Sequence, residues 1–183
     1  FNGHREEPYP AEYRVLIPSL PTTHPEEHPE LMAAPITDRL LEAIQNRGFD
    51  FVLVNYSNPD TIAHTGNYDA CLETVKVLDE QLGRILKVVL ATDTILILTS
   101  DHGNLEEVIS PVTGEFETQH DANPVPFYMV AKEYKGRKFF NYSNLLHETT
   151  GVLADVAPTI LELLGIPKPA EMGGRSLLKD LLP

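Results

Sequence analysis

Five side chains able to coordinate a divalent cation occur in three short stretches of the sequence. They are Asp60 and His64, Asp101 and His102, and His120. Carboxylate and imidazole donors without a thiolate suit manganese, zinc or iron better than a closed structural zinc site. Shared between two ions, such donors can clamp a phosphate, lower the pKa of a hydroxyl nucleophile and neutralise charge on a leaving oxygen. The residue types therefore predict a two-metal centre for phosphoryl transfer.

The place of each pair relative to the predicted strands supports this interpretation. Asp60 and His64 are four residues apart, which puts both side chains on one face of a helical segment. Asp101 and His102 directly follow a predicted buried strand, and His120 lies in a polar loop that leads into another strand. Because ligands gather outside the carboxyl ends of parallel strands, we expect the five residues at one edge of a sheet.

Each pair taken alone also has a structural explanation. Residues 58–60 read Asn-Pro-Asp, an ordinary turn sequence, and residues 101–103 can form a tight turn in which Gly103 supplies a positive φ. The other four histidines, at positions 4, 24, 28 and 147, are expected at the solvent-exposed surface. What favours a metal site is the coincidence of two Asp/His pairs after buried strands with a further histidine before a third strand.

Three helices are predicted from apolar spacing and end signals. The first begins near Thr37 and is stopped by Gly48. The second is a long amphipathic helix defined by an apolar stripe at Val75, Leu78, Leu82, Ile85 and Val89. The last covers residues 155–164, with Asp155 as N-cap and Gly165 just past its end.

Strands and the proline content complete the predicted architecture. The apolar runs at 51–55, 95–98 and 125–130 are typical of strands buried on both faces. Alternating helices and such strands indicate an α/β fold, with a mainly parallel sheet covered by helices on both faces. Five prolines between residues 18 and 35 oppose regular structure there. We therefore expect a proline-rich loop segment at 1–36 and an α/β core at 37–183.

The amino-acid composition disfavours two classes of binding partner. The 183 residues carry a formal net charge of −13, which disfavours binding to nucleic acid or to an anionic membrane. The apolar runs are far shorter than the roughly 20 residues needed to span a bilayer. The single cysteine, Cys71, cannot form an internal disulfide, so a reducing, cytoplasmic location is expected.

Several motifs together resemble one enzyme family. They read Val-Asn-Tyr-Ser-Asn-Pro-Asp at 54–60, His-Thr-Gly at 64–66, Thr-Ser-Asp-His-Gly-Asn at 99–104, His-Asp-Ala-Asn-Pro-Val-Pro at 120–126, Gly-Val-Leu-Ala-Asp-Val-Ala-Pro-Thr at 151–159 and Glu-Met-Gly-Gly-Arg-Ser-Leu at 171–177. In these stretches the chain resembles the cofactor-independent phosphoglycerate mutases of the alkaline phosphatase superfamily. The resemblance spans nearly the whole sequence.

The resemblance implies an activity and a ligand set. It implies a manganese-dependent isomerase of glycolysis that interconverts 3-phosphoglycerate and 2-phosphoglycerate through a phosphoserine intermediate. Asp60, His64 and His120 would hold one of two Mn²⁺ ions, and Asp101 with His102 would hold the other. Zinc or another divalent ion is an alternative to manganese.

The resemblance covers only the C-terminal arm of the family's phosphatase domain, so the fold is expected to be incomplete. The family's nucleophilic serine and one further aspartate ligand belong to an N-terminal arm, and its substrate-gripping arginines belong to a transferase domain. Ser57 and Ser100 do not occupy the nucleophile position. We therefore assign no catalytic or substrate-binding residue in this chain and expect it to be inactive alone. Its expected partners are phosphoglycerate and those missing parts of the same protein.

Two positions depart from the family pattern. Gly3-His4 stands where the family usually has Gly-Gly, and Ser19-Leu20-Pro21 stands where it usually has Ser-Pro-Lys. The second departure removes an active-site lysine. A related phosphatase or phosphopentomutase of the superfamily, and a non-catalytic metal-binding module, therefore stay open as alternatives. The Asn-Pro-Asp and Asn-Pro-Val-Pro sequences favour the mutase.

The implied ligand set predicts unequal metal binding by the 183-residue chain alone. Manganese or zinc should raise its Tm only modestly, because the second ion would lack ligands that the resemblance places elsewhere. Calorimetric titration should give one tight site and one weak or absent site. Two equally tight sites would contradict the assignment.

Overall fold

The computed structural model describes residues 5–110, 113–136 and 149–182, and within them the chain forms helices and one small sheet. The helices are α1 (Ala33–Asn46), α2 (Asn58–Ala63), α3 (Tyr68–Val89), α4 (Val156–Leu163) and α5 (Leu178–Leu181), and the strands are β1 (Leu96–Thr99) and β2 (Phe127–Val130). Single 3₁₀ turns lie at Pro25–Glu27, Leu105–Glu107, Lys132–Tyr134 and Leu153–Asp155. None of these helices is long and apolar enough to cross a membrane.

The chain divides into two compact units. The first unit comprises Phe1–Leu86 and Val108–Thr118, and the second comprises Lys87–Glu107 and Gln119–Pro183. Asp60 and His64 therefore belong to the first unit. Asp101, His102 and His120 belong to the second.

In the first unit, α1 begins earlier than its sequence predicts. It starts at Ala33 instead of Thr37 and so takes Pro35 into its first turn. Proline is tolerated there because the first N–H groups of a helix have no intrahelical acceptor. The helix ends at Asn46, and its C-cap residue Arg47 adopts the left-handed conformation with φ 49°. Gly48 follows this C-cap directly, which is the position expected of a glycine that stops a helix.

The predicted apolar stripe of α3 is correct only in its C-terminal half. Ile85 and Val89 are buried there, whereas Val75 is 47% exposed. Near the start of the helix the buried side chains are the smaller Cys71 and Thr74. Small side chains allow close approach to the proline-rich segment, where Thr74 Oγ1 donates a hydrogen bond to the Pro29 carbonyl at 2.8 Å.

The predicted strand at 51–55 is not a strand in the structure. Phe51 and Leu53, which the sequence predicts to be buried, are 51% and 55% exposed. A strand buried on both faces needs helices packed over those faces and a neighbouring strand to pair with, and no strand pairs with this segment in the described part of the chain. Close by, the rings of Phe49 and Tyr13 pack edge to face with centroids 5.6 Å apart.

The sheet of the second unit confirms two predicted strands but not their expected direction. β1 and β2 pair antiparallel, from Leu96 opposite Val130 to Thr99 opposite Phe127. A parallel pair needs a crossover connection that is usually an α-helix, whereas residues 100–126 contain only turns, bridges and one 3₁₀ turn where they are described. The chain therefore returns in the opposite direction.

The start of α4 matches the predicted last helix closely, with Asp155 as N-cap and Gly165 just beyond the end at φ 68°. The Asp155 carboxylate accepts hydrogen bonds from the backbone N–H of Val152 at 3.0 Å and of Arg175 at 2.8 Å. These two bonds, helped by the Arg175 charge, lower the pKa of Asp155. The buried carboxylate thus ties α4 to the segment that precedes α5.

Asp155→Asn should lower the Tm at neutral pH, because an amide nitrogen would then face an N–H donor. The pKa of Asp155 lies below its ordinary value of 3.8, so its stabilising effect is complete above that value and is lost as the pH falls through the lower folded pKa. The Tm difference between wild type and variant should therefore persist down to about pH 4 and shrink below it. Thermal melts across this pH range test the expectation.

Asp180→Asn is the matched control. Asp180 lies near the surface and pairs with Arg175 at 2.5 Å, and a surface ion pair contributes about 0–1 kcal/mol. A larger loss of stability in this control than in Asp155→Asn would contradict the structural role given to Asp155.

Candidate metal centre

Asp60 and His64 face each other along the short helix α2. Asp60 lies in its first turn and His64 is its C-cap residue. The four-residue spacing therefore places both side chains on one face of the helix, as the sequence predicts. Asp60 Oδ1 and His64 Nε2 are 3.2 Å apart, and the two side chains are 41% and 43% exposed. A carboxylate and an imidazole nitrogen therefore meet at a position that solvent and small ions can reach.

The imidazole of His64 is held by a backbone carbonyl. His64 Nδ1 lies 2.7 Å from the Thr118 carbonyl oxygen, and because a carbonyl can only accept, Nδ1 carries the hydrogen. In the neutral ring the Nε2 lone pair is then available on the side of Asp60. This is the arrangement that orients metal-binding histidines in proteins. Two ligand atoms bound to one ion at about 2.1 Å lie roughly 3 Å apart when adjacent, which matches the observed separation.

Buried side chains fix the position of α2 itself. Ile62 and Ala63 are completely buried, and Asn58 at the start of the helix is 1% exposed. With these side chains facing inward, Asp60 and His64 are turned towards the outside.

The second unit brings together the other predicted ligands. Asp101 and His102 follow β1 after a single residue, Ser100. His102 Nε2 is 3.6 Å from Asp101 Oδ1, and the Asp101 side chain is 87% exposed. The rings of His102 and His120 stack with centroids 3.6 Å apart and planes 18° from parallel. The Ser100 hydroxyl donates to the His102 carbonyl at 2.8 Å and so stabilises the turn.

Gly103 allows the two ligand segments of the second unit to approach each other. The backbone N–H of Asp121 donates to the Gly103 carbonyl at 3.0 Å. A Cβ atom at position 103 would lie 2.1 Å from Asp121 Oδ1 and 2.3 Å from Glu106 Oε1. Gly103 is not among the residues with positive φ, so the requirement here is for space, and the turn explanation based on φ is wrong.

Two carboxyl groups beside Gly103 support the same turn. Glu106 Oε2 accepts a hydrogen bond from the Asn104 N–H at 3.0 Å, and Asp121 Oδ1 accepts one from the Asn123 N–H at 2.7 Å. Burial and the nearby negative charge of Glu106 raise the pKa of Asp121. Burial opposes ionisation of Glu106, but hydrogen bonds from backbone N–H groups, Asp121 and Asn123 outweigh it and lower its pKa. The two carboxyl groups therefore differ in acidity, with the pKa of Asp121 raised and that of Glu106 lowered.

Sequence reasoning missed most of the residues that support the site. The Thr118 carbonyl leaves no trace in side-chain patterns, and Asn58 looked like part of a turn. For Glu106 and Asp121 the sequence offers one weak indication of a turn, since each lies two residues from an asparagine.

The donor chemistry fits a divalent cation. Within the first unit, Asp60 offers a carboxylate oxygen and His64 an imidazole nitrogen. Such mixed oxygen and nitrogen donors suit manganese, zinc and iron.

Comparison with known proteins places the chain in a family. The sequence profile of the Metalloenzyme superfamily matches residues 1–168. The chain therefore belongs to the Metalloenzyme superfamily. Its α/β fold class is that of a solved phosphoglycerate mutase.

Among individual proteins, the similarity is to 2,3-bisphosphoglycerate-independent phosphoglycerate mutases. The chain is 45% identical to the one from Thermomicrobium roseum and 43% identical to one from Pseudomonas fluorescens, in each case over 97% of this chain and 33% of the relative. The matched region is the C-terminal part of these relatives. A phosphoglycerate mutase from Leishmania mexicana, crystallised at low cobalt concentration, superposes with a TM-score of 0.71 at 25% identity, over 87% of this chain and 30% of that one. The chain thus spans about a third of the length of the relatives it matches.

Gly103→Ala should destabilise the second unit by about 1–3 kcal/mol, because the new methyl group must displace two hydrogen-bonded carboxyl groups. Gly83→Ala is the matched control, since a Cβ there meets nothing within 4 Å and alanine favours a helix interior by about 0.5–1 kcal/mol. Urea unfolding should therefore shift in opposite directions for the two variants. Equal shifts would contradict the close approach at Gly103.

Proposed function

We propose that this chain is part of a manganese-dependent phosphoglycerate mutase that interconverts 3-phosphoglycerate and 2-phosphoglycerate through a phosphoserine intermediate. The observation that carries the proposal is the Asp60–His64 pair, with the imidazole oriented by the Thr118 carbonyl. The relatives at 42–45% identity, all named phosphoglycerate mutases, support it. On this proposal the chain contributes to a step of glycolysis.

In this proposal the five predicted ligands divide between two Mn²⁺ ions. Asp60, His64 and His120 hold one, and Asp101 and His102 hold the other. Bound there, the ions would neutralise the phosphoryl group and lower the pKa of an attacking hydroxyl. The chain's own contribution is orientation. The Thr118 carbonyl sets the His64 ring, and the stacking of His102 on His120 sets those two rings.

The nucleophile and the substrate clamp are proposed to lie in parts of the protein that this sequence does not include. The relatives are about three times as long as the matched region. Ser100 is engaged in its turn through the His102 carbonyl, which agrees with its exclusion as a nucleophile. The chain alone is accordingly proposed to be inactive, with phosphoglycerate and the remainder of the same polypeptide as its partners.

We also propose a cytoplasmic location. Cys71 is a free, buried cysteine, and burial raises the pKa of its thiol. A protonated, enclosed thiol fits a protein that keeps its cysteine reduced.

The test is isomerisation by the intact polypeptide that carries this sequence. Formation of 2-phosphoglycerate from 3-phosphoglycerate should require Mn²⁺ and stop on chelation. His64→Ala should lower kcat/KM by more than the roughly 10- to 100-fold typical of residues that only orient a metal ligand. His24→Ala should leave it unchanged, because His24 is a surface residue of the proline-rich segment paired with Glu26. Release of inorganic phosphate without isomerisation would instead indicate a phosphatase.

A further inference from the structure

We propose that Asn58 is a positioning residue for the Asp60–His64 pair, and that it acts by fastening α2 to the end of the proline-rich segment. The inference rests on the proposed metal-binding function of Asp60 and His64. It concerns a residue that is not itself a predicted ligand and that a turn explanation would set aside.

The side-chain amide nitrogen of Asn58 donates to two backbone carbonyls. Its Nδ2 donates to the Pro29 carbonyl at 3.0 Å and to the Glu30 carbonyl at 2.8 Å. The side chain is 1% exposed, so these bonds are shielded from competing water. An amide nitrogen has two hydrogens, and both are used on carbonyls that lie 28 and 29 residues away in sequence.

The position of Asn58 within α2 explains why its hydrogen bonds affect the placement of Asp60 and His64. Asn58 is the first residue of the helix and Asp60 is the third. Ile62 and Ala63, completely buried, hold the other end. A six-residue helix has too few internal hydrogen bonds to keep its own orientation. Fixing both ends therefore sets the rotation of α2 about its axis, and with it the direction in which Asp60 and His64 face and the approach of His64 Nδ1 to the Thr118 carbonyl.

The proline-rich segment is a suitable anchor because it is stiff at this point. Pro29 has a fixed φ, and its carbonyl accepts a second hydrogen bond from Thr74 Oγ1 of α3 at 2.8 Å. One carbonyl thus joins α2 to α3. Thr74 is also completely buried, but it lies on a helix without predicted ligands.

This geometry provides a matched pair of variants. Asn58→Asp keeps the shape of the side chain but replaces two donors with an acceptor that faces two carbonyl oxygens. Thr74→Val also keeps its shape and removes one donor to the same Pro29 carbonyl. A merely structural role for Asn58 would make the two variants alike. A positioning role makes only Asn58→Asp affect metal binding.

The experiment measures Mn²⁺ affinity and the Tm of the metal-free protein, using the intact polypeptide that carries this sequence. Asn58→Asp should weaken Mn²⁺ binding about 10- to 100-fold, the range seen when a residue that orients a ligand is lost. Thr74→Val should lower the Tm while leaving Mn²⁺ affinity unchanged. Asn58→Ser keeps one donor, so its Mn²⁺ affinity should lie between those of the wild type and Asn58→Asp. If the aspartate variant does not fold, the affinity of the serine variant tests the same inference.

Each outcome decides the question. Unchanged Mn²⁺ affinity in the folded Asn58 variants overturns the inference, as does an equal loss of affinity in Thr74→Val. Failure of the wild-type protein to bind Mn²⁺ refutes the proposed function itself. Wild-type binding with unaltered affinity in the Asn58 variants refutes only the positioning role.

Discussion

The hydrogen bond from His64 to the Thr118 carbonyl is the interaction on which the candidate centre depends. Without it the imidazole could rotate, and the separation of 3.2 Å between His64 Nε2 and Asp60 Oδ1 would be one of many. A backbone acceptor is well suited to this task because it bears no charge that changes with pH. It also constrains residues 113–118, since the Thr118 carbonyl must stay in place. The antiparallel bridge between Ile109 and Phe116 helps to hold that stretch.

In the second unit, carboxyl groups instead of a backbone carbonyl hold the segment that carries the predicted ligands Asp101 and His102. Glu106 and Asp121 crowd the bare Cα of Gly103 and fix the turn that carries Asp101 and His102. The two acidic groups differ in acidity, because burial raises the pKa of Asp121 whereas hydrogen bonds lower that of Glu106 despite its burial. In both units, then, the ordering of ligand side chains comes from neighbours that have no ligand role in the proposal.

Local signals in the sequence predicted what depends on local physics. The N-cap position of Asp155, the glycine beyond α4 and the i, i+4 placement of Asp60 and His64 all follow from helix geometry, and the structure has them. The Asp155 side chain makes no capping hydrogen bond to α4, however, and bonds instead to Val152 and Arg175. The start of α1 was misplaced because the first turn tolerates Pro35. The direction of β2 could not be predicted, since strand pairing depends on how a 27-residue connection folds. The partners of Asn58 and His64 were also out of reach, because they lie 28 to 54 residues away.

The exposed run that begins at Phe51 has a consequence for handling the chain in isolation. Phe, Val, Leu and Val follow one another at 51–54 without a charge or a proline, and the first three side chains are 39–55% exposed. Short segments with high β-propensity and no charge readily stack between molecules when their backbone is accessible. Asp50 is the nearest charged residue and acts at only one end as a gatekeeper. Aggregation of the isolated chain should therefore increase with protein concentration. Because the chain carries a net charge of −13, added salt should promote aggregation by screening the repulsion between copies.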